Sequence, residues 1–152
     1  TALHLLEYAD RRGLERQIER LRSRAKAGIV PGRTGPIAQI EAELAAYFAG
    51  GSMRFATPLA PHGSPFQSAV WDALMAIPAG QTRSYTDLGH AIGRPAAVRA
   101  IAQANGANAF AIVVPCHRVI NADGTLGGYG GGLQRKRWLL DHERRWAAAA
   151  TG

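Results

Sequence analysis

The most reactive group of residues in this sequence is "PCHRV", at positions 115–119. Cys116 is the only cysteine of the 152-residue chain, and His117 and Arg118 follow it directly. Thiolate is the nucleophilic form of cysteine, and nearby bases or cations lower the pKa of a thiol. Imidazole accepts protons near neutral pH. These residue types therefore indicate nucleophilic chemistry at sulfur.

Other interpretations of Cys116 remain open at this stage. A lone cysteine is most often a small buried apolar side chain, and neighbours along a chain need not touch in space. A thiol hydrolase is a second alternative, although papain-like and caspase-like chains place the histidine far from the cysteine. No metal or cofactor is predicted, because a single cysteine excludes multi-cysteine zinc sites and the other histidines show no ligand spacing. Those histidines are His4, His62, His90 and His142.

The second half of the chain supplies the elements that must position these residues. Residues 110–114 are predicted as a buried strand that ends at Pro115, which would mount Cys116 at a strand end. Ser64, followed by Pro65, predicts the start of a helix that ends before Pro78.

A helix-turn-helix is predicted after that helix. Ser84 and Asp87 form the capping pattern of a helix that Gly93 breaks, and a further helix is predicted from Pro95. On this further helix, Val98 is expected to face inward. A last helix is predicted from residue 133, followed by a frayed alanine tail.

The first half predicts a smaller α/β unit. Residues 2–9 and 53–56 are predicted as strands. Two helices are expected between them, over residues 13–25 and from Pro36 to Gly50, the second with Ile40 and Phe48 on one side. The linker at residues 57–65 contains three prolines. We therefore predict an α+β fold with an N-terminal lobe over 1–63, a mostly helical lobe over 64–146 and a tail over 147–152.

The net charge of +7 favours a polyanionic partner, and nucleic acid is the usual one. All basic residues except Lys26 and Lys136 are arginine. Neither a signal sequence nor a transmembrane segment is predicted, so we expect a cytoplasmic protein. Charge alone also fits a merely basic protein, and it does not identify the partner.

The motif resembles the active-site signature of the O6-alkylguanine-DNA alkyltransferases, which repair alkylated DNA directly. The similarity extends over about residues 64–145. The opening of the first lobe, "LHLLEYADRRGLERQ", is similar to the segment that follows the regulatory half of Ada-type fusions, which implies that the chain is the alkyltransferase part of such a fusion. Further matching residues are Ser84, Tyr85, Ala97 to Ala100, Asn108, Tyr129 to Gly131, and Trp138 to Leu140 through Glu143.

The resemblance implies roles for individual residues. Cys116 would take the alkyl group, His117 would accept the thiol proton through a water, and Glu143 would stabilise the imidazolium. Asn108 would tie the helix-turn-helix to the cysteine loop, and Tyr85 would donate to guanine N3. The implied substrate-binding residues are Val119, Tyr129, Gly130 and Gly131.

The resemblance also implies double-stranded DNA as the partner. A guanine stacked in a duplex must be extruded before a thiol in a pocket can reach its alkyl group. Arg99 would fill the vacated space from a helix in the minor groove, and the protein would act once, as a monomer. The implied DNA-binding residues are Arg99, Ala96, Ala100, Gln103 and Arg118. A non-enzymatic DNA-binding regulator is the remaining alternative, but lesion sensors of that kind lack the reactive cysteine.

Overall fold

The computed structural model describes residues 1–151. Over this range the chain forms six α-helices, one 3-10 helix at Cys116–Arg118 and two short strands. The α+β class predicted from sequence is confirmed. The strands, β1 (Arg83–Ser84) and β2 (Val119–Ile120), pair in parallel. The helices are α1 (Leu14–Ala25), α2 (Gly35–Phe48), α3 (Pro65–Met75), α4 (Tyr85–Ala91), α5 (Val98–Gly106) and α6 (Leu133–Thr151).

Two reciprocal capping boxes fix the starts of α3 and α4, as the sequence predicts. The Ser64 hydroxyl accepts from the Gln67 backbone N–H, while the Gln67 side chain accepts from the Ser64 N–H. Ser84 and Asp87 exchange the same two bonds. Each box satisfies two backbone donors that a helix start leaves free. The second box holds Tyr85 in the first turn of α4.

The strand predictions are wrong in detail. Residues 2–9 form only isolated parallel bridges, Leu3 with Leu59 and Leu6 with Phe110, and residues 53–56 form no strand. Residues 110–114 are buried, but they form a turn in which Ile112 has φ 71°. A short buried apolar run does not distinguish a strand from other buried backbone.

The hydrophobic core draws on both predicted lobes. Leu3 and Ile40 pack in one cluster with Val70, Leu74 and Ile101. A second cluster joins Tyr47 of α2, Ile112 and Leu139 of α6. The two halves of the chain are therefore packed against each other at the elements that carry the cysteine.

Three further expectations are corrected. On α2, Tyr47 is fully buried and Phe48 is exposed, because α2 turns the Ile40, Leu44 and Tyr47 face inward. Val98 is exposed, at the first residue of α5. The alanine tail is helical, since α6 continues to Thr151.

No helix within residues 1–151 has the length and apolar character needed to cross a membrane.

Candidate active site

Cys116 lies at the first residue of the 3-10 helix and faces a cavity of about 220 Å³. Its side chain is buried, but it is one of the residues that line this cavity. The other walls come from the end of α5, the loop before α6 and the N-terminal segment. The lining residues are Glu7, Arg11, Tyr85, Ala102, Asn105, Gly106, Asn108, Ala111, Cys116 and Gly128 to Gly131.

Asn108 holds the turn that carries the cysteine. Its Nδ2 donates to the Val114 carbonyl at 2.8 Å and to Cys116 Sγ at 3.2 Å. Its Oδ1 accepts from the Phe110 backbone N–H at 2.9 Å. This buried amide therefore links the end of α5 to the nucleophile, and it replaces the ladder bonds that a strand would have made.

Burial raises the pKa of the Cys116 thiol above its ordinary value, and the Asn108 hydrogen bond only partly opposes this. The expectation that the neighbouring His117 and Arg118 lower this pKa is wrong, because both side chains bond to Glu143 instead of the sulfur. The sulfur is therefore a neutral thiol at neutral pH, and its reaction requires a base that removes the proton.

His117 is fully buried, with one ring nitrogen paired and the other unpaired. Its Nε2 lies 2.9 Å from Glu143 Oε2, whereas Nδ1 has no protein partner. Burial lowers the pKa of His117 and outweighs the raising effect of Glu143. A neutral imidazole that donates Nε2–H to Glu143 leaves Nδ1 as a proton acceptor, which is the tautomer a general base needs.

Glu143 accepts four hydrogen bonds in the interior. Arg118 donates from Nε to Oε1 and from Nη2 to Oε2, each at 2.8 Å. The Tyr47 hydroxyl also donates to Oε2 at 2.8 Å, and His117 supplies the fourth bond. Burial opposes ionisation, but the bonds from Arg118 and His117 outweigh it and lower the pKa of Glu143 to about 2. The carboxylate is therefore charged at every physiological pH.

The structure contradicts the DNA-binding role expected of Arg118. Its side chain is buried, its Nη1 donates to the Ile77 carbonyl at 2.6 Å, and its other donors bind Glu143. A guanidinium held this way cannot reach a phosphate without leaving Glu143 charged and unpaired. Arg118 instead balances the charge of Glu143 in the interior.

Lys136 of α6 is a second buried cation that sequence analysis missed. Its Nζ donates to the carbonyls of Val119, at 2.6 Å, of Leu126 and of Gly128. Burial lowers its pKa to about 8, so the ammonium form persists at neutral pH. Lys136 thus ties β2 to the loop that forms one cavity wall. A signal was present, since Lys136 precedes Leu139 and Glu143 at helical spacing on the buried face of α6.

Of the predicted substrate-binding residues, Tyr129, Gly130 and Gly131 line the cavity, and Val119 does not. The Val119 carbonyl accepts from Lys136. Tyr85 also lines the cavity and is half-buried, and burial raises the pKa of its hydroxyl, which therefore stays a donor.

The N-terminal segment contributes cavity residues that sequence analysis did not select. The Arg11 guanidinium donates to the Gly106 carbonyl at 2.7 Å and pairs with Glu7. A Cβ on Gly130 would lie 2.8 Å from the Arg11 guanidinium carbon. Arg11 therefore occupies space that glycine leaves beside the cavity. The four-residue spacing of Glu7 and Arg11 was the only hint of this pair.

The predicted DNA-facing residues of the helix-turn-helix lie on the surface. Arg99, Ala100 and Gln103 of α5 are exposed, as is Ala96 in the preceding turn. The adjacent residue Ala102 lines the cavity. No group of three or more potential metal ligands occurs within residues 1–151.

A family model described as "6-O-methylguanine DNA methyltransferase, DNA binding domain" matches residues 65–145. Among curated proteins, the methylated-DNA–protein-cysteine methyltransferase of Mycolicibacterium paratuberculosis is 56% identical over 108 residues, which is 71% of this chain and 66% of that protein. The protein of the same name from Salmonella typhimurium is 57% identical over 102 residues, covering 66% of this chain and 60% of its own length. The matched part thus spans slightly less than two thirds of these relatives.

Solved structures from Mycobacterium tuberculosis share the fold. The crystal structure of its OGT in complex with DNA has 50% identity and a TM-score of 0.71, covering 72% of this chain and 68% of that one. The crystal structure of its O6-methylguanine methyltransferase has 48% identity and a TM-score of 0.70, covering 81% and 73% respectively.

Proposed function

The chain belongs to the 6-O-methylguanine DNA methyltransferase family, and from that premise we propose that it repairs DNA by taking an alkyl group from guanine O6 onto Cys116. O4-alkylthymine is the second substrate of this proposal. The observation that carries it is the position of the sole thiol, which faces a cavity beside α5 and lies next in sequence to a buried His117–Glu143 pair.

The first chemical step is proton removal from the thiol. His117 Nδ1 accepts the proton through a bridging water, and the fixed charge of Glu143 stabilises the imidazolium that forms. A base is needed because burial keeps the thiol neutral. General base catalysis of this kind contributes roughly 10²–10⁴ in rate.

The second step is an in-line displacement at the alkyl carbon. The sulfur–carbon bond forms as the carbon–O6 bond breaks, and the bonding electron pair moves onto the guanine. Tyr85 donates a hydrogen bond to N3 of the departing base and offsets this charge. The backbone N–H of Gly130 donates to O6, and Tyr129 and Gly131 complete the wall that holds the base.

DNA is bound as a duplex through the exposed face of α5. Ala96, Ala100 and Gln103 allow this helix to approach the minor groove, which is only about 6 Å wide. Arg99 enters the stack as the damaged nucleotide rotates into the cavity. In this proposal, residues 64–146 form the alkyltransferase lobe, residues 1–63 support it, and the protein acts as a monomer.

The product is a thioether, which is a poor leaving group, so each molecule reacts once. The test incubates the protein with excess duplex DNA that carries radiolabelled O6-methylguanine. We expect transfer of one methyl group per molecule, found by mass spectrometry on the peptide that contains Cys116, and none in Cys116→Ala. Continued turnover, or transfer in Cys116→Ala, would overturn the proposal.

A further inference from the structure

Helix α1 carries a row of arginines that the proposed mechanism does not use. Arg16, Arg20 and Arg24 follow one another at four-residue intervals, all are exposed, and none forms an ion pair within residues 1–151. We call these three residues the arginine stripe. Glu19, on the neighbouring flank of α1, pairs instead with Arg22. The stripe therefore presents three cations to solvent.

Helix α1, which carries the stripe, lies beside the end of α5. Arg11, three residues before α1, donates to the carbonyls of Gly106 and Asn108 at the C-terminal end of α5. A second cavity, of about 120 Å³, lies between Arg20 and Arg24 on one side and Ala107 and Ala109 on the other. Two of the stripe arginines thus lie beside the chain at the C-terminal end of α5, and Arg11 lines the Cys116 cavity.

We propose that the arginine stripe binds the phosphodiester backbone of the same duplex whose damaged base enters the Cys116 cavity. This inference rests on the proposed function and adds a second, sequence-independent contact to it. Residues four apart rise by about 6 Å along a helix. Two successive phosphate steps on one strand rise by about 7 Å along the duplex axis. On a helix that lies along the strand, successive stripe arginines would therefore meet about every second phosphate, and arginine presents a donor fork that fits phosphate oxygens.

The apolar side of α1 argues against a membrane surface as the partner. Leu14, Ile18 and Leu21 are half-buried, and Leu21 lines the second cavity beside Ala107. An amphipathic helix that binds lipid must place its apolar side in the bilayer. Here that side is turned to the protein, so only the cations face a partner.

The test compares two triple variants that each remove three positive charges. Arg16→Gln/Arg20→Gln/Arg24→Gln removes the stripe. The matched control, Arg54→Gln/Arg137→Gln/Arg145→Gln, removes three exposed arginines that form no ion pair within the described chain. Binding to a short unmodified duplex is measured by fluorescence anisotropy over a series of salt concentrations.

We expect the slope of log affinity against log salt concentration to be shallower by about 2–3 in the stripe variant than in the wild type, because each phosphate contact contributes about 0.9 to this slope. The control should lose less than half as much. Replacing the three stripe arginines by lysine should restore the slope, since the charge is kept. All variants should transfer methyl from free O6-methylguanine at the wild-type rate, because the free base needs no backbone contact.

A stripe variant with the wild-type slope would overturn this inference, as would an equal loss in the control. A slope that stays low in the lysine variant would do the same. So would a result in which the wild type binds anionic vesicles while the wild type and the stripe variant bind DNA equally well. These outcomes leave methyl transfer by the wild type intact. Failure of the wild type itself to transfer methyl would instead contradict the proposed function.

Discussion

The two halves of the chain contribute to one site in different ways. In the proposed mechanism, residues 64–151 supply the groups that react, Cys116 and His117, together with Glu143. Residues 1–63 supply supporting groups: the Tyr47 hydroxyl donates to Glu143, and Arg11 lines the cavity that Cys116 faces. Cys116 and His117 sit in one short motif, and Glu143 lies on the buried face of α6. The supporting groups reach the site only through tertiary packing. A comparison of variants in the two halves should therefore separate chemistry from support.

The largest effect is expected for Glu143→Gln in the second half. It leaves the buried Arg118 guanidinium unpaired and removes the charge that stabilises an imidazolium at His117. We expect about 3–5 kcal/mol lower stability and a rate of methyl transfer reduced by roughly 10²-fold or more. Urea unfolding and single-turnover kinetics measure the two losses. Near-normal kinetics in the folded variant would remove Glu143 from the mechanism.

The stability that ionised Glu143 contributes should also appear as a pH dependence of unfolding in the wild-type protein. The pKa of Glu143 is lowered to about 2 in the folded state and is about 4.3 when unfolded. Its stabilisation is therefore complete above about pH 4.3 and is lost as the pH falls through 2, by about 3 kcal/mol. Urea midpoints measured from pH 7 to pH 2 should fall more steeply in the wild type than in Glu143→Gln. If the urea midpoints of the two proteins fell in parallel with pH, Glu143 would not be the source of the acid sensitivity.

A smaller effect is expected for Tyr47→Phe in the first half. It removes one hydrogen bond to a charged group, worth about 1.5–3 kcal/mol, but leaves Arg118 in place. Stability should fall accordingly, and methyl transfer should slow less than in Glu143→Gln. Tyr8→Phe is the matched control, because its hydroxyl bonds only the Tyr129 hydroxyl, at 3.0 Å. If Tyr8→Phe lost as much stability as Tyr47→Phe or more, the hydrogen bond from Tyr47 to Glu143 would not be the cause of the loss.

The smallest effect is expected at the contact between Arg11 and Gly130. An alanine at 130 must displace the Arg11 guanidinium, which bonds to Glu7 and to the Gly106 carbonyl. We expect Gly130→Ala to slow reaction with O6-benzylguanine by severalfold more than reaction with O6-methylguanine. Adding Arg11→Ala should relieve the difference, as measured by competition between the two free bases. If the double variant is as slow as Gly130→Ala, Arg11 does not limit the cavity.

Sequence patterns predicted the parts of this molecule that depend on local rules. The helix start at Ser64 and Pro65 and the capping box of Ser84 and Asp87 follow from residues within three positions of each other. The buried turn at residues 110–114 could not be predicted, because its Ala111 backbone N–H bonds to the carbonyl of Leu6, a distant residue that only tertiary packing brings there.

The partners of buried charges were equally out of reach. A pattern alone makes Arg118 an exposed cation, and only the fold brings it to Glu143 and Ile77. Lys136 lies among carbonyls of a loop that has no sequence signature. Buried ionic groups are decided by which distant segments meet, so a single sequence carries little information about them.

The left-handed backbone at Ile112 has a consequence for the order of folding. A β-branched residue at φ 71° costs of order 1–3 kcal/mol and persists only where its surroundings enforce it. Those surroundings include Tyr47 from the first half of the chain and Leu139 from the second. We therefore expect this turn to form only after the two halves of the chain have packed together. A fragment limited to residues 65–145 keeps Leu139 but lacks Tyr47, and we expect hydrogen exchange to show protected helices but weaker protection of the turn at residues 110–114.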